Sequence, residues 1–115
     1  MIRKAAECRK ESREHMRGGD GTVHITHFAT TEELYEKGRL FGNITLNPGC
    51  GIGFHVHEKD SELFYLIKGE AIYNDNGEEY PVSAGDVMIC PAGSGHAITN
   101  KGEEVVELCA VIVYA

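Results

Sequence analysis

Short segments in which apolar and polar residues alternate make up most of the chain after residue 20. Residues 21–29, GTVHITHFA, and residues 39–47, RLFGNITLN, alternate as strands with one buried face do. Further strand-like segments follow as GFHVH, ELFYLIKG, EAIYND, EEYPV, DVMIC, HAITN and VVELCAVIVY. Many short strands at intervals of about 8–12 residues are typical of a sandwich or barrel. The pattern therefore predicts an all-β fold.

Turn signals lie between these strands. The segment TTEELYEKG at 30–38 predicts a short helix or helical turn, because Thr30 and Glu33 have the spacing of a capping box. Gly38 is expected to end this turn, since glycine readily adopts the left-handed conformation found after helices. The sequence DNG at 75–77 predicts a hairpin between two of the strands.

The length and composition fit one globular domain. The chain has 115 residues, of which 42% are apolar and 25% are charged. We divide it into an N-terminal arm, residues 1–20, and a single β-barrel domain, residues 21–115. No apolar run reaches the length of about 18 residues that a membrane-spanning helix needs. The N-terminus lacks the apolar segment of a secretory signal, so we expect a cytoplasmic protein.

Charge is distributed unevenly along the chain. The net charge of −7 argues against nucleic acid or an anionic membrane as a partner. Residues 1–17 carry six basic and three acidic side chains and no aromatic residue. This basic arm is therefore expected to lie on a neighbouring subunit rather than on nucleic acid.

The cysteines do not form a recognisable framework. Cys8, Cys50, Cys90 and Cys109 contain no CxxC pair, and in a reducing cytoplasm they are expected to be free thiols. Cys90 and Cys109 lie in strand-like segments and are interpreted as small packing residues. For Cys50, beside the GIGFHVH segment, a role as a thiol ligand is the alternative.

Four titratable side chains have the arrangement of a metal site. His55 and His57 are two residues apart in a predicted strand, so they point to the same face. After the polar turn EKDS, Glu62 opens the next strand, which is expected to fold back antiparallel beside the first. His96 follows a tight loop, CPAGSG, that can bring a further imidazole to the group. Three imidazoles and one carboxylate suit a divalent first-row cation.

The spacing of these residues resembles the two motifs of the cupin superfamily. Between successive motif residues the gaps are five, one, four and six residues in the first motif, and five, one, two and three in the second. The fifteen residues between the motifs match the spacing of compact single-domain cupins. All ten specified positions agree with the family pattern: Gly49, His55, His57, Glu62, Gly69, Gly85, Pro91, Gly93, His96 and Asn100.

The resemblance implies a fold and a ligand set. Cupins are small antiparallel β-barrels of the jelly-roll type, also called the double-stranded β-helix, and usually hold a divalent metal. By this resemblance His55, His57, Glu62 and His96 are the metal ligands, and the motif glycines and prolines are turn residues. Glycine is independently expected where the backbone needs unusual angles or a close approach. Asn100 is expected to be a structural hydrogen-bonding residue.

The donor set does not select one metal. Imidazole and carboxylate ligands suit Fe(II), Mn(II), Ni(II), Co(II) and Zn(II) equally well. An octahedral ion held by these four groups keeps two adjacent open positions, which suit diols, hydroxy-ketones, oxo-acids, or dioxygen together with a substrate oxygen. The metal then acts as a Lewis acid or as a redox centre.

Strand parity predicts the lining of the pocket. The expected lining is mostly apolar, and no second carboxylate or histidine is clearly placed as a general base. Phosphorylated sugars are less favoured, because the barrel segment has only five basic residues and none adjoins a ligand; contact of Lys59 or Lys101 with a phosphate from a loop is the alternative. His15, His24 and His27 are interpreted as ordinary structural residues. The inward-facing residues are Phe64, Leu66, Ile98 and Asn100, joined by Ile44 and Leu46.

The opposite faces of the same strands are also apolar. An antiparallel sheet with one wet side normally shows polar residues there, so a second layer or a partner subunit is expected to cover this face. We therefore predict a homodimer in which early residues lie across the neighbouring subunit. The outward residues that lead to this prediction are Phe54, Val56, Leu63, Tyr65 and Ile67.

Two classes of function follow. The first is an enzyme, a metal-dependent dioxygenase, decarboxylase or isomerase acting on a small oxygenated metabolite, and the complete ligand set favours it. The second is a non-catalytic binding or sensing domain in which the metal anchors a small molecule. The lack of an evident acid–base residue keeps this alternative open.

Overall fold

The computed structural model describes residues 1–115, and ten strands form two antiparallel sheets. The larger sheet has the strand order β1-β2-β3-β10-β5-β8, and the smaller has the order β4-β9-β6-β7. This arrangement confirms the predicted all-β barrel. The strands are β1 Arg9–Glu14, β2 Thr22–His27, β3 Gly38–Leu46, β4 Gly51–Val56, β5 Asp60–Lys68, β6 Glu70–Asp75, β7 Glu78–Ser83, β8 Val87–Cys90, β9 Gly95–Thr99 and β10 Val106–Tyr114.

The core lies between the two sheets, where alternate residues of each strand meet. Strand β3 shows the rule, because every second residue from Gly38 to Leu46 is buried while the intervening residues are less buried. The inward direction predicted for six residues is confirmed, since each of them is buried: Ile44, Leu46, Phe64, Leu66, Ile98 and Asn100. Removal of the apolar side chains among them from water is the main favourable contribution to folding.

The N-terminal arm contributes an edge strand. Strand β1 pairs with β2 from Arg9 opposite His27 to Glu14 opposite Thr22. A short 3-10 turn, Met16–Gly18, lies between the two strands, and a second 3-10 turn, Ala5–Glu7, precedes them. The arm thus extends the larger sheet within the same chain. That early residues also cross a neighbouring subunit remains a prediction.

The predicted turn at 30–38 is present, but it ends differently from the expectation. The reciprocal capping hydrogen bonds form, from the Thr30 amide to Glu33 Oε1 at 2.9 Å and from the Glu33 amide to Thr30 Oγ1 at 3.1 Å. The left-handed conformation is adopted by Tyr35 and Glu36, at φ 54° and 55°, rather than by Gly38. Gly38 instead begins β3, where a Cβ would collide with the Ile112 carbonyl oxygen.

The other turn predictions are confirmed. Asn76 and Gly77 both have positive φ, and Asp75 lies opposite Glu78, so DNG closes the β6–β7 hairpin with a two-residue turn. The motif glycines 49, 69, 85 and 93 also have positive φ, between 83° and 97°. No helix is long and apolar enough to cross a membrane.

The predicted pairing of the strands that carry His57 and Glu62 is wrong. Strand β4 pairs with β9, and β5 pairs with β10 and β8, so β4 and β5 belong to different sheets. The short EKDS connection crosses from one sheet to the other instead of forming a hairpin. Alternation determines which face of a strand is buried but does not determine its neighbour.

Candidate metal centre

Four predicted ligands converge inside the barrel. One ligand atom from each of His55, His57, Glu62 and His96 lies within 4.8 Å of all the others. His57 Nε2 lies 3.1 Å from Glu62 Oε1, and His96 Nε2 lies 3.0 Å from the same oxygen. His55 Nε2 is 3.8 Å from it. The residues chosen from the sequence are therefore the ones that meet.

Both sheets contribute to this group. His55 in β4 lies directly opposite His96 in β9, so pairing within the smaller sheet brings these two imidazoles together. His57 follows the end of β4, and Glu62 projects from β5 in the larger sheet. The centre thus lies between the two layers, where His57, Glu62 and His96 are at most 5% exposed.

The other ring nitrogen of each histidine has its own partner. His57 Nδ1 lies 2.6 Å from Asp60 Oδ1, and His55 Nδ1 lies 2.8 Å from the Gly53 carbonyl oxygen. His96 Nδ1 lies 2.8 Å from the hydroxyl of Tyr73. A carboxylate and a carbonyl can only accept, so the Nδ1 atoms of His55 and His57 carry the protons. Their Nε2 atoms therefore present lone pairs to the centre.

This donor set fits a divalent cation. The Nε2 lone pairs of two imidazoles point toward the ionised carboxylate of Glu62, so acceptor groups face one another in a buried place. Such an arrangement needs either additional protons or a cation between the acceptors. Three imidazole nitrogens and one carboxylate oxygen are a usual ligand set for a first-row metal, and the contact at Nδ1 fixes the orientation of each imidazole.

Burial and hydrogen bonding set the protonation states. Burial raises the pKa of Glu62, but its contacts with the three neighbouring imidazoles lower it further, so in the absence of a cation the pKa falls below its ordinary value and protons are shared within the group. The hydrogen bond with Glu62 raises the pKa of His57, although burial opposes this. Burial lowers the pKa of His96 and favours its neutral form. A cation entering the centre competes with the proton on His57.

A small cavity opens beside the ligands. Its volume is about 60 Å³, which has room for a few water molecules. Its apolar wall comes from Met16, Ile25, Leu40, Ile44, Ile52 and Ile112. Its polar wall contains Arg13, Arg17, Arg39 and His27 beside three of the ligands. No basic residue of the barrel segment was expected next to a ligand, whereas Arg39 of β3 lines this cavity, together with Arg13 and Arg17 of the arm.

His27 also has a more specific place than the sequence indicated. It shares the inner face of β2 with the buried residues Val23 and Ile25, and its Nε2 lies 2.6 Å from Glu11 Oε2. Strand parity could have identified it, because positions 23, 25 and 27 of one strand share a face. His24 faces outward, and its Nδ1 lies 2.8 Å from Ser12 Oγ.

Other residues confirm their predicted roles. Asn100 is fully buried and donates to the Leu46 and Glu104 carbonyl oxygens, at 2.9 and 2.8 Å. Cys50 is not among the convergent ligands, which disfavours the alternative of a thiol ligand. All four cysteines are free thiols, and Cys90 is buried as a packing residue. Burial raises the pKa of Cys90 to about 11, so it is an unreactive thiol.

Two antiparallel sheets closed around three histidines and one glutamate define a β-barrel with a metal-site ligand set. Residues 42–114 match the family of the cupin domain. The chain belongs to the cupin family.

Two of the proteins to which this chain is similar span nearly all of it. An oxalate-binding protein from Thermotoga maritima is 38% identical over 113 residues, which cover 98% of this chain and 93% of the relative. The crystal structure of a predicted oxalate decarboxylase from Thermotoga maritima has a TM-score of 0.95 at 37% identity and covers 100% of both chains. The tetracenomycin polyketide synthase protein TcmJ from Streptomyces glaucescens is 33% identical over 76% of this chain and 56% of its own length.

Proposed function

We propose that this protein binds a small dicarboxylate of the oxalate type at a divalent metal held by His55, His57, Glu62 and His96. One observation carries the proposal, namely that three of the four convergent ligands line a cavity of about 60 Å³ that three arginines also line. The volume restricts the ligand to a few heavy atoms, and guanidinium groups select carboxylate oxygens.

The similarity to the oxalate-binding protein supports the same ligand class. At 38% identity over 98% of this chain, the likeness includes the arm as well as the barrel. A resident cation supplies positive charge for oxygen donors. The apolar wall of the cavity limits access of water, so electrostatic attraction to an anionic ligand is stronger there than in bulk solvent.

Metal content and ligand binding test this proposal together. Elemental analysis of wild type is compared with His55→Ala and His96→Ala, using His24→Ala on the outer face as the control. We expect both ligand variants to lose the metal and the control to keep it. Titration calorimetry should then show oxalate binding by metal-loaded wild type and by the His24→Ala control, and no binding by the two ligand variants. Unchanged metal content in the two variants, or no oxalate binding by any metal form, would overturn the proposal.

Turnover of the ligand is the second candidate, and His27 favours it. This imidazole lines the cavity and is held by Glu11, so it is a titratable group beside the site of the ligand. Decarboxylation of oxalate takes up one proton and yields formate and carbon dioxide, and a cavity histidine can supply that proton. Formate production by metal-loaded wild type that is lost in His27→Gln would support an enzyme. No formate with any of the five metals would leave binding as the function.

We also propose that the larger sheet forms a homodimer through its outer face. Two rows of residues run across β3, β10, β5 and β8, and within each row the residues of neighbouring strands lie directly opposite one another. Neither row contains a charged residue. In a chain of net charge −7, a neutral face is best matched by a second copy of itself. The rows are Phe41, Val111, Leu63 and Ile89, and Asn43, Cys109, Tyr65 and Val87.

The N-terminus lies at one end of this face. Arg3 donates to the Phe28 carbonyl oxygen at 2.8 Å, and the ring of Phe28 packs edge-on against Phe41 with centroids 5.2 Å apart. The chain therefore begins near this face, with the exposed residues Met1 and Ile2. This position is consistent with early residues covering part of the partner subunit.

A further inference from the structure

The arginines of this protein are concentrated at one place. The chain has five, and all of them line either the metal cavity or an adjoining groove of about 360 Å³. His27 and Arg39 border both spaces, so the groove continues into the cavity. No lysine lines either space, although the chain has six. Arginine binds carboxylates through two parallel hydrogen bonds, which lysine cannot do.

Four of the five guanidinium groups already have a carboxylate partner. Arg3 is paired with Glu33, Arg9 and Arg13 are both paired with Glu11, and Arg39 is paired with Asp60. These pairs fix the walls of the groove and the cavity and neutralise much of their charge.

Arg17 differs from the other four. This residue lines the metal cavity, and its side chain makes no hydrogen bond or ion pair with any other residue of the chain. Its donors are therefore available to a bound molecule.

The backbone holds Arg17 in an unusual position against the strand of the first ligand. Arg17 has left-handed angles, φ 55° and ψ 28°. A Cβ at Gly53 would collide with the Arg17 carbonyl oxygen, and a Cβ at Gly19 would lie 2.7 Å from the Gly53 amide nitrogen. The turn thus packs backbone to backbone on β4, where the Gly53 carbonyl oxygen also accepts from His55 Nδ1. The left-handed conformation costs free energy at a residue other than glycine, and these backbone contacts hold Arg17 in it.

We propose that Arg17 is the specificity-determining residue of the site and binds the carboxylate of a dicarboxylate that lies farther from the metal ligands. This inference rests on the proposed function. The turn at the tip of the β1–β2 hairpin lies outside the segment 42–114 that matches the cupin family. The barrel then supplies the metal ligands, and the hairpin supplies the selection between ligands with one carboxylate and ligands with two.

Ligand discrimination in the metal-loaded full chain tests this inference. We compare oxalate and acetate binding by titration calorimetry in wild type, Arg17→Gln and Arg17→Lys. Arg17→Gln should weaken the binding of oxalate about ten- to a hundredfold, because a hydrogen bond to a charged group is lost. The binding of acetate should not change. Arg17→Lys should recover only part of the loss, since it restores the charge without the paired donors.

The matched control is Lys10→Gln. It removes the same charge from the same hairpin, but Lys10 lies on the opposite face of β1 from Arg9, Glu11 and Arg13. Oxalate affinity should not change in this variant, and elemental analysis should show full metal content in all four proteins.

Each outcome identifies which idea fails. If wild type binds no oxalate, the proposed function fails. If wild type binds oxalate and Arg17→Gln binds it equally well, or loses acetate and oxalate in parallel, only the role of Arg17 fails.

Discussion

His57 Nδ1 and Asp60 Oδ1 are 2.6 Å apart, which makes Asp60 the residue that orients one of the four ligands. Asp60 is buried, and its second oxygen accepts from Arg39 Nε at 2.8 Å. Burial raises the pKa of Asp60, but Arg39 and His57 together lower it below its ordinary value. An ionised carboxylate thus holds the proton of His57 on Nδ1 and leaves Nε2 available to a metal.

Asp60→Asn should weaken metal binding by about 10- to 100-fold, because loss of a carboxylate behind a ligand imidazole has an effect of this size. Competition with a chelator measures the metal dissociation constant. Asp20→Asn, at an exposed position, serves as the control and should match wild type. Arg39→Gln separates the two contacts of Asp60, because it leaves the hydrogen bond to His57 in place. A wild-type dissociation constant in Asp60→Asn would contradict the orienting role.

Tyr73→Phe should also weaken metal binding, with little change in stability. The hydroxyl of Tyr73 lies 2.8 Å from His96 Nδ1, while its ring packs edge-on against Phe64. Burial raises the pKa of Tyr73, so the hydroxyl stays protonated and can fix the His96 ring. Phenylalanine keeps the packing and removes only the hydroxyl. The same chelator assay and a urea unfolding curve check the two expectations, and a metal affinity equal to wild type would refute the first.

Phe64→Ala should lower both stability and metal affinity. Loss of a buried phenylalanine costs about 3–5 kcal/mol in the free energy of unfolding. The Phe64 ring also stacks on the His96 ring at a centroid distance of 5.1 Å. Leu108→Ala is the control, because Leu108 is equally buried in the core. It should cost about 2–5 kcal/mol without altering metal affinity in the folded protein. Equal metal affinities in the two variants would show that the stacking does not orient His96.

Glu11→Gln should remove part of the acid sensitivity of the protein. A hydrogen bond from Arg13 is the largest of the effects that lower the pKa of Glu11, from 4.5 to about 2, although burial opposes it. A carboxyl group with a lowered pKa stabilises the fold above its unfolded pKa, and this stabilisation is lost as the pH falls toward the folded value. The stability difference between wild type and Glu11→Gln should therefore shrink between pH 4.5 and pH 2.

Urea unfolding at a series of pH values measures this difference. Glu14→Gln is the control, because Glu14 is an exposed residue of the same strand. This variant leaves the ion pairs of Glu11 in place, so its free energy of unfolding should not show the change that their loss causes. A constant difference between wild type and Glu11→Gln across the acid range would contradict the prediction.

Ile89→Lys should dissociate the proposed dimer. Ile89 is 58% exposed in the single chain and ends one of the two uncharged rows. A lysine there leaves two unpaired charges in a symmetric interface. Light scattering after gel filtration should give twice the chain mass of 12.6 kDa for wild type and the single mass for the variant. Tyr80→Lys on the smaller sheet should remain dimeric, and a monomeric wild type would eliminate the interface.

The strands and the ligands could be predicted from sequence because both depend on local spacing. Two-residue periodicity shows which side chains share a face, and the gaps among His55, His57 and Glu62 are short. The turn residues Asn76 and Gly77 were equally clear, since few residues adopt their backbone angles.

Long-range pairing explains what could not be predicted. Nothing in β4 indicates that β9, rather than β5, lies beside it. The arginines of the arm were missed for the same reason, because Arg17 reaches the cavity only when β1 pairs with β2 and the intervening turn packs on β4. The contact of Tyr73 with His96 is likewise long-range, whereas Asp60 is only three residues from His57, and there the spacing alone does not show that the turn directs the carboxylate to the imidazole.

The division of the ligands between the two sheets has a consequence for exchange of the ion. His55 and His96 lie in the smaller sheet, whereas Glu62 belongs to the larger one. An ion held by all three would connect the two sheets and restrain their local separation. Amide hydrogen exchange in β4 and β9 should therefore slow when the protein is loaded with metal.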